Sequence, residues 1–204
     1  MKKIITIGRE FGSGGRELGR RLSEHLGIAY YDHEIITEIA KRTDLSEAYV
    51  RQVTENRPLV SFPIHFGGRF CAMPDPMLQQ SISIYSEQHN LICELADKSD
   101  CIIVGRCADY VLRDRHPFRI FVYADEQSRL KRCMDRKTAE ETLSEQDMKR
   151  KIAEIDRNRS RYYAFFSGQK WGARENYDLL INTSGRNIKK LSAALYEYLR
   201  SIDE

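Results

Sequence analysis

The feature that most constrains this chain is a glycine-rich segment near its N-terminus, between an apolar run and an amphipathic stretch. The run at residues 3–7 is rich in β-branched side chains and predicts a buried first strand. After the glycines, Leu18, Leu22 and Leu26 recur at helical spacing. Gly27 lies where that helix is expected to end. A strand, a glycine-rich loop and a helix in this order are typical of a phosphate-binding site.

The chemistry expected of this loop is mainly that of its backbone. Glycines adopt positive φ angles, so that successive N–H groups can point at one anion, and the helix that follows adds partial positive charge. The alternative is a tight turn that uses glycine only for its shape. The residues that we predict to bind a nucleotide phosphate are Arg9, Gly12, Ser13, Gly14, Gly15, Arg16 and Glu17.

The loop departs from the usual phosphate-binding pattern, G-x-x-x-x-G-K-[ST]. If Gly14 is the second glycine of that pattern, Gly15 stands at the position of the lysine, and Arg16 stands at that of the metal-binding hydroxyl. Either Arg16 or Arg9 could supply the missing cation, because a guanidinium group matches phosphate well. Ser13 carries the nearby hydroxyl that we predict to bind the metal.

The rest of the chain predicts strands that alternate with helices. Short apolar runs predict strands at 28–31, 101–104, 118–124 and 177–181, and helical spacing predicts helices at 33–55 (in two pieces), 77–95, 126–163 and 188–199. This alternation indicates an α/β fold with a three-layer, doubly wound parallel sheet. Residues 56–76 hold four of the five prolines and predict a long, functional or mobile loop.

Composition and charge limit the class of protein. No apolar run approaches the roughly 18 residues that a membrane span requires. The five cysteines form no C-x-x-C pair, and their odd number argues against a closed disulfide framework. With 33 basic and 30 acidic residues, net charge alone does not indicate a nucleic-acid surface. We therefore expect a single cytoplasmic domain over residues 1–204, without membrane insertion.

Six motifs, in the same order and across nearly the whole chain, resemble those of the cytidylate kinase-like branch of the nucleoside monophosphate kinases. They are ITIGREFGSGGRELG, YYDHE, IIVGR, FRIFVYADEQSRLKR, DRNR and NYDLLINTSG. The resemblance implies a P-loop fold that transfers the terminal phosphoryl group of ATP, with Mg²⁺, to a monophosphate acceptor such as CMP. It also implies an acceptor-binding helical insertion near residues 33–98 and an arginine-rich helical lid near residues 129–170.

The acceptor-binding residues that this resemblance implies are matched in part. After the second strand, Asp32 matches an aspartate of cytidylate kinases. The small polar residue, the glycine and the arginine that follow there are replaced by His33, Glu34 and Glu38. From its position at a strand end, Asp32 could orient a hydroxyl or amino group, or it could instead cap the helix that begins at His33.

Two further segments carry acceptor residues by resemblance. Arg106 matches the arginine of a Gly-Arg-Asp motif, whereas Cys107 replaces the aspartate and Asp109 follows two positions later. The end of a buried parallel strand is where ligands bind in open α/β sheets, and the alternative for Arg106 is a surface ion pair. In the lid, Asp156 and Arg159 match acceptor-binding residues.

The lid is dense in arginine and lysine, which suits a reaction that spreads negative charge over equatorial phosphoryl oxygens. We predict catalytic roles for Arg16, Arg132, Arg136 and Arg157. The other basic side chains alternate with acidic ones and are expected to pair on helix surfaces.

Two other functions stay open at this point. The missing lysine favours a catalytically impaired regulator that binds a nucleotide or another anion, since loss of one preorganised donor costs about 3 to 4 kcal/mol of barrier. The basic lid favours a nucleic-acid binder, against which its mixed charges argue. We expect ATP, Mg²⁺ and a small phosphorylated acceptor as ligands, no nucleic-acid or membrane partner, and a monomer or homodimer.

Overall fold

In the part of the chain that the structure describes, a five-stranded β-sheet lies between two layers of helices. The computed structural model describes residues 2–56, 76–137 and 143–202. Within these ranges the strands are β1 (Ile4–Arg9), β2 (Ala29–Tyr31), β3 (Cys101–Val104), β4 (Phe118–Tyr123) and β5 (Leu179–Asn182). The helices are α1 (Gly15–Leu26), α2 (Glu34–Thr43), α3 (Glu47–Arg51), α4 (Pro76–Lys98), α5 (Ala108–Val111), α6 (Glu126–Asp135), α7 (Glu145–Ser167) and α8 (Ile188–Ser201). A π-helical turn at Gln52–Asn56 and 3₁₀ turns at Arg113–Arg115 and Arg174–Asn176 complete the helical segments.

The strand order is β2-β3-β1-β4-β5, and every pairing is parallel. In the central strand β1, Ile5 lies beside Ile102 of β3 on one side and Phe118 of β4 on the other. The helices that follow the neighbouring strands β1 and β3 pack on opposite faces of the sheet. Such a switch point opens a crevice at the carboxyl ends of the two strands, where ligands of open α/β sheets bind.

Two apolar cores result from the alternation of side chains along each strand. Ile5 and Ile7 point to the face covered by α1 and α8 and pack in one core with Leu18. Ile4 and Ile103 point to the opposite face, which α2, α4 and α5 cover. Because both faces of the sheet are covered, its strands are mainly apolar, as expected of a buried parallel sheet. The predicted three-layer α/β architecture is confirmed.

The boundaries of several elements differ from those predicted. The single helical stretch predicted at 126–163 contains two helices, α6 and α7, and each has its own cap. The Asp125 carboxylate accepts a hydrogen bond from the Ser128 amide (2.6 Å), and the Ser144 hydroxyl accepts one from the Asp147 amide (3.2 Å). The last strand begins two residues later than predicted.

The predicted loop at 56–76 lies outside the described residues, except for its two ends. Asn56 belongs to the π-helical turn and Pro76 to α4. Among the described helices, none combines the length and the apolarity that crossing a membrane requires. The helical insertion at 33–98 and the lid at 129–170 remain predictions as functional units.

Candidate functional site

The glycine-rich loop joins the end of β1 to the start of α1 through two backbone positions in the left-handed region. Gly12 has φ 77° and Gly14 has φ 83°. A Cβ atom at Gly12 would lie 2.9 Å from the Cys133 Sγ, and one at Gly14 would lie 2.8 Å from the Ile188 Cδ1. Both conformation and space therefore require glycine, and the loop is held in one shape by α6 and α8.

The loop amides are not all directed at one anion. The Phe11 amide donates to the Asp156 Oδ1 (2.7 Å). The Ser13 amide donates to the Glu10 carbonyl oxygen (3.4 Å). The expectation that the amides of residues 8–16 converge on a single anion is therefore wrong for these two. Fewer loop amides are therefore open to an anion than the sequence predicts.

Ser13 lies inside the loop, and Arg132 supports the same turn from α6. The buried Ser13 hydroxyl donates to the Glu10 carbonyl oxygen (2.8 Å). The Ser13 carbonyl oxygen accepts from the Thr183 hydroxyl (2.6 Å) and from Arg132 Nη1 (3.4 Å), which also reaches the Gly12 carbonyl oxygen (3.4 Å). Arg132 thus fixes the loop as well as facing its opening, and the metal-binding role of Ser13 stays a prediction.

A cavity of ≈ 280 Å³, which we call the first cavity, opens at the N-terminus of α1. Its walls are the glycine-rich loop, part of α6 and part of α7. Among the described residues, its wall contains the acidic Glu10 and six cationic side chains: Arg9, Arg16, Arg132, Arg136, Lys151 and Arg159. This excess of positive charge, next to the positive end of a helix dipole, favours a polyanion such as a triphosphate.

Three of the four predicted catalytic arginines line the first cavity. Arg16, Arg132 and Arg136 do so, whereas Arg157 is exposed on α7 and is absent from the described walls of the cavity. Sequence analysis missed Lys151. The signal for Lys151 was its spacing from Arg159 along the helix. Residues eight positions apart share a helix face, whereas Arg157, two positions from Arg159, points elsewhere.

Asp32 lies below the loop opening as the partner of two arginines. Its buried carboxylate approaches Arg16 Nε at 2.7 Å and Arg9 Nη2 at 3.5 Å. Helix α2 begins at Glu34, with His33 at the N-cap position. The alternative in which Asp32 caps this helix is therefore wrong, and its role toward an acceptor stays a prediction. Glu17, on the first turn of α1, pairs with Arg136.

Asp156 and Arg159 connect helix α7 to the loop. The Asp156 carboxylate accepts from the Phe11 amide and pairs with Arg129. Burial raises the pKa of Asp156, although these partners oppose the shift. Arg159 Nη1 donates to the Arg9 carbonyl oxygen (3.3 Å), and its guanidinium lies 5.5 Å from the centre of the Phe11 ring. Both residues thus hold α7 against the loop, and direct contact with an acceptor stays a prediction.

A second cavity, of ≈ 40 Å³, lies beside the first at the carboxyl ends of β1 and β3. Arg9 and Arg159 line both cavities. The other wall residues include Thr54, Arg106, Cys107, Asp109, Tyr162, Tyr163, Trp171 and Tyr177. The second cavity therefore combines guanidinium groups with aromatic rings, a combination that suits a phosphorylated aromatic ligand.

Arg106 enters this cavity from a buried position with φ 61°. Its Nη1 donates to the Thr54 hydroxyl (2.8 Å), and its carbonyl oxygen accepts from Gln88 Nε2 (3.0 Å). The alternative of a surface ion pair for Arg106 is wrong because the side chain is buried. A guanidinium that faces a cavity can bind an anion, and the acceptor-binding role of Arg106 stays a prediction.

In place of the expected aspartate, the chain carries Cys107 and, two positions later, Asp109. Burial favours the uncharged form of both side chains. Burial raises the pKa of the Cys107 thiol well above its usual value. Burial also raises the pKa of Asp109, although the Tyr163 hydroxyl, which donates to Asp109 Oδ2 at 2.7 Å, opposes this shift. The carboxyl group of Asp109 lies in the wall of the same cavity. Its ionisation costs free energy there because the group is buried.

The substitution Asp109→Asn is expected to change the pH dependence of stability. A carboxyl whose pKa is raised in the folded state binds its proton more tightly there than in the unfolded chain. The wild-type free energy of unfolding therefore falls, relative to that of the variant, as the pH rises from 3.8 through the folded-state pKa. Urea denaturation at several pH values measures this difference.

The control for this prediction is Asp114→Asn, because the side chain of Asp114 is 86% exposed. It should leave the pH dependence unchanged. Parallel curves for wild type and Asp109→Asn would show that burial does not shift the Asp109 titration.

Proteins of known sequence and structure are similar to this chain over most of its length. Residues 4–185 match the model of the cytidylate kinase-like family. A cytidylate kinase from Methanopyrus kandleri is 25% identical over 191 residues, which cover 89% of this chain and 84% of that protein. An uncharacterized protein from Eubacterium ventriosum has a similar structure, with a TM-score of 0.70, 27% identity, and 98% and 99% of the two chains covered.

The fold is also that of shikimate kinases. The enzyme from Bacteroides thetaiotaomicron superimposes with a TM-score of 0.60 at 13% identity, over 98% of this chain and 99% of that chain. At this identity the likeness shows the fold alone, and it confirms the predicted P-loop kinase fold. The family model covers most of the chain, including the glycine-rich loop, Arg106 and the lid helix. This chain belongs to the cytidylate kinase-like family.

Proposed function

We propose that this protein transfers the terminal phosphoryl group of ATP to a small phosphorylated acceptor, a nucleoside monophosphate such as CMP. The observation that carries the proposal is the pair of adjacent cavities, which share Arg9 and Arg159 as a common wall. Direct transfer requires a donor and an acceptor side by side. In this assignment the first cavity holds the triphosphate. The second cavity, whose ≈ 40 Å³ is far smaller than a nucleotide, holds the phosphate group of the acceptor.

The reaction needs little covalent chemistry from the protein. An oxygen of the acceptor phosphate forms a bond to the terminal phosphorus of ATP. The bond between that phosphorus and the bridging oxygen breaks, and its electron pair leaves with ADP. Arg16 and Arg136 face the triphosphate, Arg106 faces the acceptor phosphate, and Arg159 lies between them. Their charges stabilise the negative charge that spreads over the equatorial oxygens.

Magnesium fits the first cavity as part of the substrate complex. Mg²⁺ is held by one or two protein oxygens together with phosphates and water, and it neutralises phosphate charge when bound. Among the described wall residues, Glu10 carries a carboxylate that could be an oxygen ligand, and this carboxylate also pairs with Arg129 at 3.0 Å. The buried Ser13 hydroxyl donates to the Glu10 carbonyl oxygen and is absent from the described walls of this cavity. Among the described residues, no group of three acidic, histidine or cysteine side chains forms a metal site of its own.

The test is turnover with a panel of acceptors. Purified protein with ATP and Mg²⁺ is incubated with each nucleoside monophosphate, and ADP and the new diphosphate are measured. We expect one acceptor to raise ADP formation at least about tenfold over the acceptor-free rate. Nucleotide binding without turnover on any acceptor would contradict the proposal and support the alternative, a catalytically impaired regulatory protein.

A further inference from the structure

Arg9 occupies an unusual place for a cation, because it ends the central strand and is buried. Its exposed fraction is 7%, and its Nε has no hydrogen-bond partner among the described residues. It is also one of the two residues that line both cavities. A buried guanidinium at the boundary between two cavities, whose carboxylate partner Asp32 lies 3.5 Å away, is well placed to receive a further anion.

Two glycines leave the space that the Arg9 side chain fills. A Cβ atom at Gly15 would lie 2.7 Å from the Arg9 Cβ, and one at Gly105 would lie 1.7 Å from the Arg9 Nη1. Gly15 stands where the usual phosphate-binding loop carries its lysine. The stem of Arg9 therefore occupies the space that this lysine would need, while its guanidinium continues toward the end of β3.

The local charges leave Arg9 less neutralised than Arg16. Asp32 lies 2.7 Å from Arg16 but 3.5 Å from Arg9. Burial, together with the charge of Arg159, lowers the pKa of Arg9 to about 9. The Arg16 side chain, in contrast, is 51% exposed. The positive charge of Arg9 is therefore costly in the free protein, and a bound phosphate would relieve that cost.

We propose that Arg9 is the catalytic cation that replaces the missing lysine and contacts the terminal phosphoryl group of the triphosphate as it passes between the cavities. This inference rests on the proposed function and assigns one of its roles. Gly15 and Gly105 have no side chain, and each therefore leaves room for the side chain of Arg9. Arg16 contributes to the first cavity but is held mainly by Asp32.

The decisive variant is Arg9→Met, which keeps most of the side-chain volume and removes the charge. We expect kcat/KM for ATP to fall roughly 10²- to 10³-fold, as on removal of a preorganised donor. The ratio of ATP to ADP affinity, measured by calorimetry, should fall toward one because the terminal phosphate loses its partner. The matched control is Arg20→Met on the exposed side of α1, where Arg20 pairs with Glu24, and it should retain both quantities.

A purely structural role for Arg9 predicts a different result. It would lower the midpoint of thermal unfolding without changing the ATP to ADP affinity ratio. For Arg9→Met we expect a lower ATP to ADP affinity ratio and an unchanged midpoint of thermal unfolding. The midpoint should not fall because removal of this buried charge leaves Asp32 paired with Arg16. Wild-type kcat/KM and a wild-type affinity ratio in Arg9→Met would overturn the inference.

A second variant keeps the test decisive if Arg9→Met does not fold. Gly15→Lys alone is expected to bind ATP poorly, because its Cβ would overlap with Arg9. Gly15→Lys combined with Arg9→Gly frees that space and should recover at least about a tenfold preference for ATP over ADP. Equal affinities for ATP and ADP in the double variant would contradict the inference.

The affinity ratio also separates this inference from the proposed function. The wild type could show no turnover with any acceptor but prefer ATP to ADP in an Arg9-dependent manner. The kinase proposal would then fail, whereas the contact between Arg9 and the terminal phosphate would be supported. If the wild type turns over and Arg9→Met matches it, the kinase proposal stands and the role of Arg9 fails.

Discussion

The substitution Gly14→Ala is expected to weaken ATP binding roughly 30- to 100-fold. Gly14 has φ 83°, a conformation that costs an alanine about 1 to 2 kcal/mol. The added methyl group would also lie 2.8 Å from the Ile188 Cδ1. The loop can escape both costs by leaving its left-handed conformation, and this moves the turn around Ser13 that shapes the first cavity. Calorimetric titration with ATP measures the loss.

A matched control lies at the other end of the same helix. Gly27 has φ 67°, but a Cβ atom there meets nothing within 4 Å. Gly27→Ala should therefore cost stability through strain, by about 1 kcal/mol, and leave ATP affinity unchanged. Equal ATP affinities in folded Gly14→Ala and Gly27→Ala proteins would show that the loop conformation does not determine nucleotide binding.

The features that could be predicted from the sequence are those that depend on neighbouring residues. The order of strand, glycine-rich loop and helix, and the alternation that sends Ile4 and Ile5 to opposite faces, are local patterns with one physical meaning. The start of α7 also had a local signal, because Ser144 and Asp147 form a cap three positions apart. Helical spacing alone does not register this cap, so it predicts α6 and α7 as one helix.

The features that could not be predicted depend on contacts between distant segments. The Phe11 amide bonds to Asp156, which lies 145 positions away in the chain. No local pattern distinguishes this structural tie from an acceptor-binding aspartate. The same limit applies to Arg9 and Gly105. Only the packing of β1 beside β3 shows that Gly105, which follows β3, makes room for Arg9, which ends β1.

The largest effect on the acceptor is expected from Arg106→Gln. Arg106 is buried in the wall of the second cavity, and its Nη1 contacts the Thr54 hydroxyl at 2.8 Å. Glutamine stays polar, but it is shorter and has no charge for the acceptor phosphate. We expect kcat/KM for the acceptor to fall roughly 10²- to 10³-fold, while KM for ATP changes less than about threefold. Steady-state kinetics with each substrate varied in turn measures both.

A comparison of CMP with cytidine makes this prediction specific to the phosphate. If Arg106 binds that group, the wild type should discriminate strongly against cytidine, and Arg106→Gln should lose most of this discrimination because the contact no longer exists. Arg113→Gln is the control, since Arg113 is half exposed on a 3₁₀ turn outside the described walls of both cavities. A variant that loses ATP affinity instead, with its preference for CMP intact, would place Arg106 in the donor site and reverse the assignment of the two cavities.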